Sequence, residues 1–466
     1  MLKKINNVFD NFIYSYAYPF ISIFLGAIFF ILGIQTINFI AVIAFGCILI
    51  ATKKNLLPVL PMIFSFIISI REASALANIT FSLCLFVPLV IAFIIHFIRF
   101  HNDLSFGTLF IPFTLVSITY FLGGLNSETA IYNSDGFFAF CVISPVSFAL
   151  YVLMNNSLNL DNKTDTRLYF TFVLLACGLA VSLEVIAFIS GNYLSIINDG
   201  FVSPWEIGWL NTNVGAYILL LAIPTTLYLM LESKFLLPWY LLLIGFLTVL
   251  FIAESDGAFG VSLILSPFAL ILLYTRLKTN KKTIFKIYIL ISALILFTVI
   301  CLYIFNEKIN TFVNKNIFSG AKNFKEYFDK HFLDDTGRSK IFKETLPLFQ
   351  NNIWFGGGYG AVVHLTTLKT HFVHSTPLHV LFCSGIVGLL TFIVYYVVRI
   401  RIYCKNNSDF NFTMFFGFIL YECYAMVDAG EFILAIVFLT MQTLIVEKIN
   451  KGNYIEELPL NTKLNI

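Results

Sequence analysis

Four of the seven histidines, His364, His371, His374 and His379, fall in one polar stretch between Arg338 and Gly388. That stretch reads GRSKIFKETL from 337, FGGGYG at 355–360 and HFVHSTPLHVLFCSGIVG at 371–388. His374 is followed by Ser375 and Pro377 at the mouth of an apolar segment. An imidazole there, with a reference pKa of about 6.5, can take a proton from an attacking hydroxyl at neutral pH. The same ring could instead be a structural histidine bonded to a backbone carbonyl. Arg338 falls in the first turn of an expected helix, where the macrodipole favours anions and disfavours a cation. An arginine makes sense there if it and the helix N-terminus face a phosphate together; the competing reading is a local ion pair with Asp334 or Asp335. The glycines of FGGGYG (Gly356, Gly357, Gly358, Gly360) form a tight turn that lets backbone approach a ligand. A metal site from His364, His371 and His374 would need close tetrahedral ligation, and their spacing matches no zinc motif, so neither metal nor cofactor is expected.

The remainder of the chain must hold that stretch at a membrane. Hydrophobic residues make up 59% and charged residues 12%, against about 25% charged in a soluble domain; this is a polytopic membrane protein. The net charge of +3 is too small and dispersed for a nucleic-acid partner. The 53 Phe and 22 Tyr, with abundant Ile, Asn and Lys, point to a low-GC bacterial gene. The eight cysteines have no metal-like spacing and imply no exported disulfide framework.

A crossing helix needs about 20 apolar residues. Fourteen segments qualify, the third and the last two being short: 17–34, 36–52, 56–70, 76–98, 104–125, 136–154, 168–189, 213–231, 235–253, 258–275, 284–304, 378–398, 410–427 and 431–446. The expectation is an all-α transmembrane bundle of twelve to fourteen spans, one domain over 1–466. The first segment lacks a small-residue cleavage site and reads as an uncleaved span. Basic flanks (Lys3–Lys4, Lys53–Lys54, Arg99, Lys163 with Arg167, Lys234, 276–282, 399–405, Lys448 with Lys451) alternate with charge-poor loops, which predicts cytoplasmic termini. The opposite face receives one long loop, about 305–377, with nine Lys/Arg and six Asp/Glu. A loop of that length is usually functional.

Within it, 321–332 reads as an amphipathic helix, along the interface or packed on the bundle. A second helix is expected to start near Asp334–Thr336 and run through Leu348 to the glycine turn. Gly385 and Gly388 suit close helix packing. Of the acids in or near spans (Glu184, Glu254, Asp256, Asp428, Glu431), all but Glu184 fall at outer ends, and none reads as a nucleophile. Arg71 pairs with Glu72 in the simplest reading.

The order Arg338, Gly356/Gly358/Gly360, His374–Ser375, Gly385/Gly388 resembles the C-terminal signature of the O-antigen polymerase and O-antigen ligase family of bacterial surface-polysaccharide assembly. GWLNTNVGAYILLLAIP (208–224) is similar to that family's asparagine-led span, with Asn211 and Asn213 in the matching places. The resemblance covers about 205–398. One position departs: where the family often has S-R-G-x, this chain reads Ser255-Asp256-Gly257-Ala258. The diphosphate charge then falls to Arg338, with Arg71 or Lys369.

The resemblance implies a membrane glycosyltransferase whose donor is an undecaprenyl-diphosphate-linked glycan, acting on the periplasmic or outer face of the cytoplasmic membrane. The acceptor would be a second lipid-linked repeat unit (polymerase) or a lipid A core sugar (ligase), and a chain-length regulator is a candidate partner. His374 and Arg338 would be catalytic. Substrate contacts would come from Gly356, Gly358, Tyr359, Gly360, Lys369, His371 and Ser375, and from Arg71, Asn211 and Asn213. A polymerase is favoured over a ligase. The reading from another class is a transporter or flippase for lipid-linked sugars, disfavoured because the polar chemistry gathers at one surface, not at the midplane.

Overall fold

The computed structural model describes residues 2–68, 79–100, 104–125, 144–158, 165–192, 207–209, 212–253, 255–306, 338–358, 373, 375–428 and 435–451. Among them are sixteen α-helices and no strand. α1 (Leu2–Ile13) lies outside any predicted span. The next eleven are α2 (Ala17–Ile31), α3 (Gln35–Thr52), α4 (Val59–Ile68), α5 (Ile79–Phe100), α6 (Phe110–Leu125), α7 (Ser144–Ser157), α8 (Thr166–Gly191), α9 (Thr212–Glu232), α10 (Leu237–Ile252), α11 (Asp256–Arg276) and α12 (Thr279–Phe305). After the long loop come α13 (Arg338–Asn351), α14 (Thr376–Tyr403), α15 (Asp409–Ala425) and α16 (Ala435–Lys451).

Each of the fourteen predicted spans coincides with one helix from α2 to α12 or from α14 to α16. Six helices are by themselves long and apolar enough to cross a bilayer, and α1 with α2, bent by 73°, would add a seventh. Most of the others are shorter: at about 1.5 Å per residue, the 17-residue α15 reaches a little less than the roughly 30 Å hydrocarbon core, whereas the 22 residues of α5 would reach across it.

Helix α9 is the hub. It is apolar all round and buried along nearly its whole length, the pattern of a central helix. α8, α10, α11 and α15 pack against it. Its C-terminal end is closed by Lys281, whose Nζ donates to the carbonyls of Met230 at 3.1 Å and Leu231 at 2.9 Å, a cation meeting the negative end of the dipole. α12 is the opposite case. It is equally apolar, yet Leu290, Leu294 and Phe297 are exposed, as a lipid-facing helix would be.

The two ends of the bundle differ in chemistry. At one end a continuous set of contacts joins the basic connections. Lys53 pairs with Asp10, and Arg99 donates to the Ala51 carbonyl at 2.8 Å. His96 bridges the Ile50 carbonyl and Ser157 Oγ, each at 2.7 Å. Glu447 accepts from the Thr108 N–H at 2.8 Å and Arg276 pairs with Asp409 at 2.8 Å. Helices α9, α11 and α14 begin at the other end, where α15 finishes. Two cations counted as basic flanks are not surface charges. Besides Lys281, Arg399 is fully buried, 3.3 Å from Glu422 and over the rings of Tyr395 and Phe418. Removing one partner of such a pair costs about 3–5 kcal/mol, because the other charge stays buried.

Candidate active site

Helix α13 (Arg338–Asn351) falls where the second loop helix is expected, and its expected start at Asp334–Thr336 lies outside the described residues. It packs on α14, with the Phe349 and Phe382 rings edge-on at 6.1 Å. The glycine turn follows directly and inserts into a break in α14. Gly385 has φ +67°, non-helical, which interrupts the helix there. The N–H groups of Ile386 and Val387 would ordinarily bond the carbonyls four residues back. They donate instead to Ile353 at 3.0 Å and Trp354 at 3.2 Å. The freed carbonyls of Phe382 and Cys383 accept the N–H groups of Gly357 at 2.8 Å and Gly358 at 3.0 Å. Four backbone hydrogen bonds thus replace the two helical ones lost at the break. The close backbone approach expected of this turn is therefore made to α14.

Glycine is required on both sides. A Cβ on Gly356 would run into the backbone of Phe382–Ser384, and one on Gly385 into the Trp354 carbonyl. The small-residue packing expected at Gly385 is thus a backbone crossing between turn and helix. Gly385→Ala should lower thermal stability by more than Gly33→Ala. Gly33 shares the positive φ (+70°) but faces open space, so its alanine carries only the strain, on the order of 1 kcal/mol. Thermal melts of the detergent-solubilised variants check this, and equal shifts would contradict the crossing.

The residues on either side of His374 are pinned. Val373 is fully buried, and its N–H reaches His379 Nδ1 at 3.2 Å. Ser375 is buried, donates its N–H to the Val373 carbonyl at 2.6 Å, and accepts from the His379 N–H at 2.8 Å. The Thr376 hydroxyl then reaches the Asp428 carbonyl at 3.4 Å.

Asp428 connects this helix start to α11. Tyr424 donates its hydroxyl to Asp428 Oδ2 at 3.1 Å and shares a hydrogen bond with Ser255 Oγ at 2.9 Å. With the Tyr424 proton directed to Asp428, the Tyr424 oxygen accepts from the Ser255 hydroxyl. Gly257 lies against the Tyr424 ring, and the Tyr217 ring of α9 packs tilted against Tyr421 and Tyr424 with centroids 4.5 and 4.3 Å away. The Ser255-Asp256-Gly257 segment and the Ser375–Thr376 helix start, more than a hundred residues apart in sequence, are bridged through Tyr424 and Asp428 at one end of the bundle. A carboxylate there can hold an imidazolium or a sugar hydroxyl.

Of the expected site residues, Arg338 starts α13, Gly356 and Gly358 are in the inserted turn, and Ser375 precedes α14. Asn213 lies in the first turn of α9, half-buried. His374, Tyr359, Gly360, Lys369, His371, Arg71 and Asn211 lie outside the described residues, as do His364 and the expected helix at 321–332. The structure adds Ser255, Tyr424, Asp428 and His379. Tyr421, Tyr424 and Asp428 repeat at helical spacing towards an outer end, a sequence signal that reading each acid by itself passed over.

Residues 240–393 match the family model described as O-antigen ligase. That stretch runs from the first turn of α10 through α11 to α13, the inserted turn and His374 to Ile393 in α14. The O-antigen polymerase/ligase family recognised in the sequence is thus borne out over these residues. No curated protein matches the chain.

Proposed function

We propose that the chain is an integral membrane glycosyltransferase that polymerises polyprenyl-diphosphate-linked oligosaccharide repeat units into surface polysaccharide. What carries this reading is the meeting of Ser255–Gly257, Tyr424, Asp428 and the pinned neighbours of His374 at one end of the bundle, inside or beside the O-antigen ligase match. In the reaction an acceptor hydroxyl attacks the anomeric carbon of the donor glycan. Its proton passes to His374 as the new glycosidic bond forms. The bond from the anomeric carbon to the diphosphate breaks, and polyprenyl diphosphate leaves with the electron pair. Arg338 and the N-terminus of α13 meet the developing charge. With Gly356 and Gly358 engaged by α14, Tyr359, Gly360, Lys369, His371 and Ser375, with Arg71, Asn211 and Asn213, are the proposed glycan and diphosphate contacts. The membrane is the bacterial cytoplasmic membrane, with both termini inside and the site on the outer face.

The description of the matched family favours a second reading, a ligase, which differs only in its acceptor. Purified protein in vesicles, given a defined lipid-linked repeat unit, separates the two. A ladder of products without any lipid A core supports the polymerase. A single transfer that appears only when core is added supports the ligase. Neither product, with the lipid-linked sugar merely moved across the vesicle, would favour a flippase.

A lipid diphosphate leaves readily, so transfer should survive EDTA and extensive dialysis. Loss under chelation with rescue by zinc or magnesium would revive the His364, His371 and His374 metal reading.

A further inference from the structure

His379 is buried in the second turn of α14, 1% exposed. Its Nδ1 receives the Val373 N–H at 3.2 Å. A backbone N–H can only donate, so Nδ1 is an acceptor and the neutral ring carries its proton on Nε2. Nε2 lies 3.7 Å from Cys383 Sγ, one turn further along the helix, which is a weak acceptor for that proton. The tautomer is assigned from this network. Val373 is thereby held at both polar groups: its N–H by the His379 ring, its carbonyl by the Ser375 N–H at 2.6 Å. Val373 and Ser375, the two neighbours of position 374, are thus fixed to each other and, through Val373, to this ring.

We propose that His379 is a positioning residue: its neutral ring anchors the backbone immediately before His374 and so sets where that imidazole stands. This rests on the reading of His374 as the base of glycosyl transfer. A misplacement of about 1 Å at a reacting group can cost about 10²-fold in rate. The anchor therefore acts on the chemical step and leaves substrate binding alone.

The test uses two substitutions of opposite design. His379→Leu keeps apolar bulk but removes the acceptor. His379→Asn places Oδ1 close to the position of Nδ1, so the Val373 N–H keeps its partner. His379→Leu should lose kcat by about 10–10²-fold with KM changed little, and His379→Asn should recover most of that loss. Hydrogen exchange read by mass spectrometry supplies a measure independent of turnover: the Val373 amide should exchange faster in the Leu variant and stay protected in the Asn variant. Wild-type kcat in His379→Leu would overturn the proposal. So would an Asn variant as impaired as the Leu variant while its Val373 amide remains protected. Full transfer by His374→Ala would instead remove the reading beneath it, and that failure is recognisable because the exchange contrast between the His379 variants would persist.

Discussion

His374→Ala is expected to reduce glycosyl transfer by about 10²–10⁴-fold, the usual cost of losing a positioned proton acceptor, while the protein still folds and inserts. The expectation stands on the surroundings of position 374. Val373 and Ser375 are buried and bonded to each other and to His379, and Thr376 reaches the Asp428 backbone. Substituting the side chain between two pinned neighbours removes a ring without removing those bonds. His364→Ala and His371→Ala should be far better tolerated. The measurement is transfer from a defined polyprenyl-diphosphate glycan by purified variants matched for folded protein. Wild-type turnover in a stable His374→Ala variant would rule the base role out.

Arg338 carries the second large effect. It is the first residue of α13, where the helix dipole opposes a cation unless an anion is shared. Asp256 occupies the position where the family often has an arginine, so the proposed reading gives Arg338 the larger share of the diphosphate charge. A planar guanidinium meets two phosphate oxygens at once and an ammonium does not. Arg338→Lys should therefore keep the charge and still lose much of the activity, and Arg338→Ala nearly all of it. The comparison that decides is the double substitution Asp334→Ala/Asp335→Ala. If Arg338 only neutralises those acids, removing them should hurt as much as removing the arginine, with thermal stability lowered in both. Loss of transfer confined to the arginine variants, at unchanged stability, supports the diphosphate role.

The span pattern was legible because lipid imposes a length and a composition that each segment shows by itself; every predicted span from 17–34 to 431–446 meets a helix. The presence of α13 between the long loop and the glycine turn was legible for a similar reason, since its apolar periodicity is a local signal. What escaped was non-local. Nothing in FGGGYG says that its amides serve the carbonyls of Phe382 and Cys383, because that depends on a helix break thirty residues further on. Gly385 was read as a packing glycine, when the backbone there turns to positive φ to admit the turn. Arg399 read as a basic flank because it lies at the apparent end of an apolar run, and only Glu422 from α15 explains why it is buried. Tyr424 and Ser255 are common residue types whose meaning comes from meeting each other and Asp428 across two helices.

The most direct test of the account is the stoichiometry of a single reaction. Purified protein in vesicles is given a lipid-linked repeat unit with a labelled diphosphate, and released polyprenyl diphosphate is counted against new glycosidic bonds. The account predicts one polyprenyl diphosphate for each bond formed, without added metal or nucleotide, and loss of both signals together in His374→Ala. Glycan movement across the vesicle with no diphosphate released, or bond formation with no release of polyprenyl diphosphate from the donor, would contradict it.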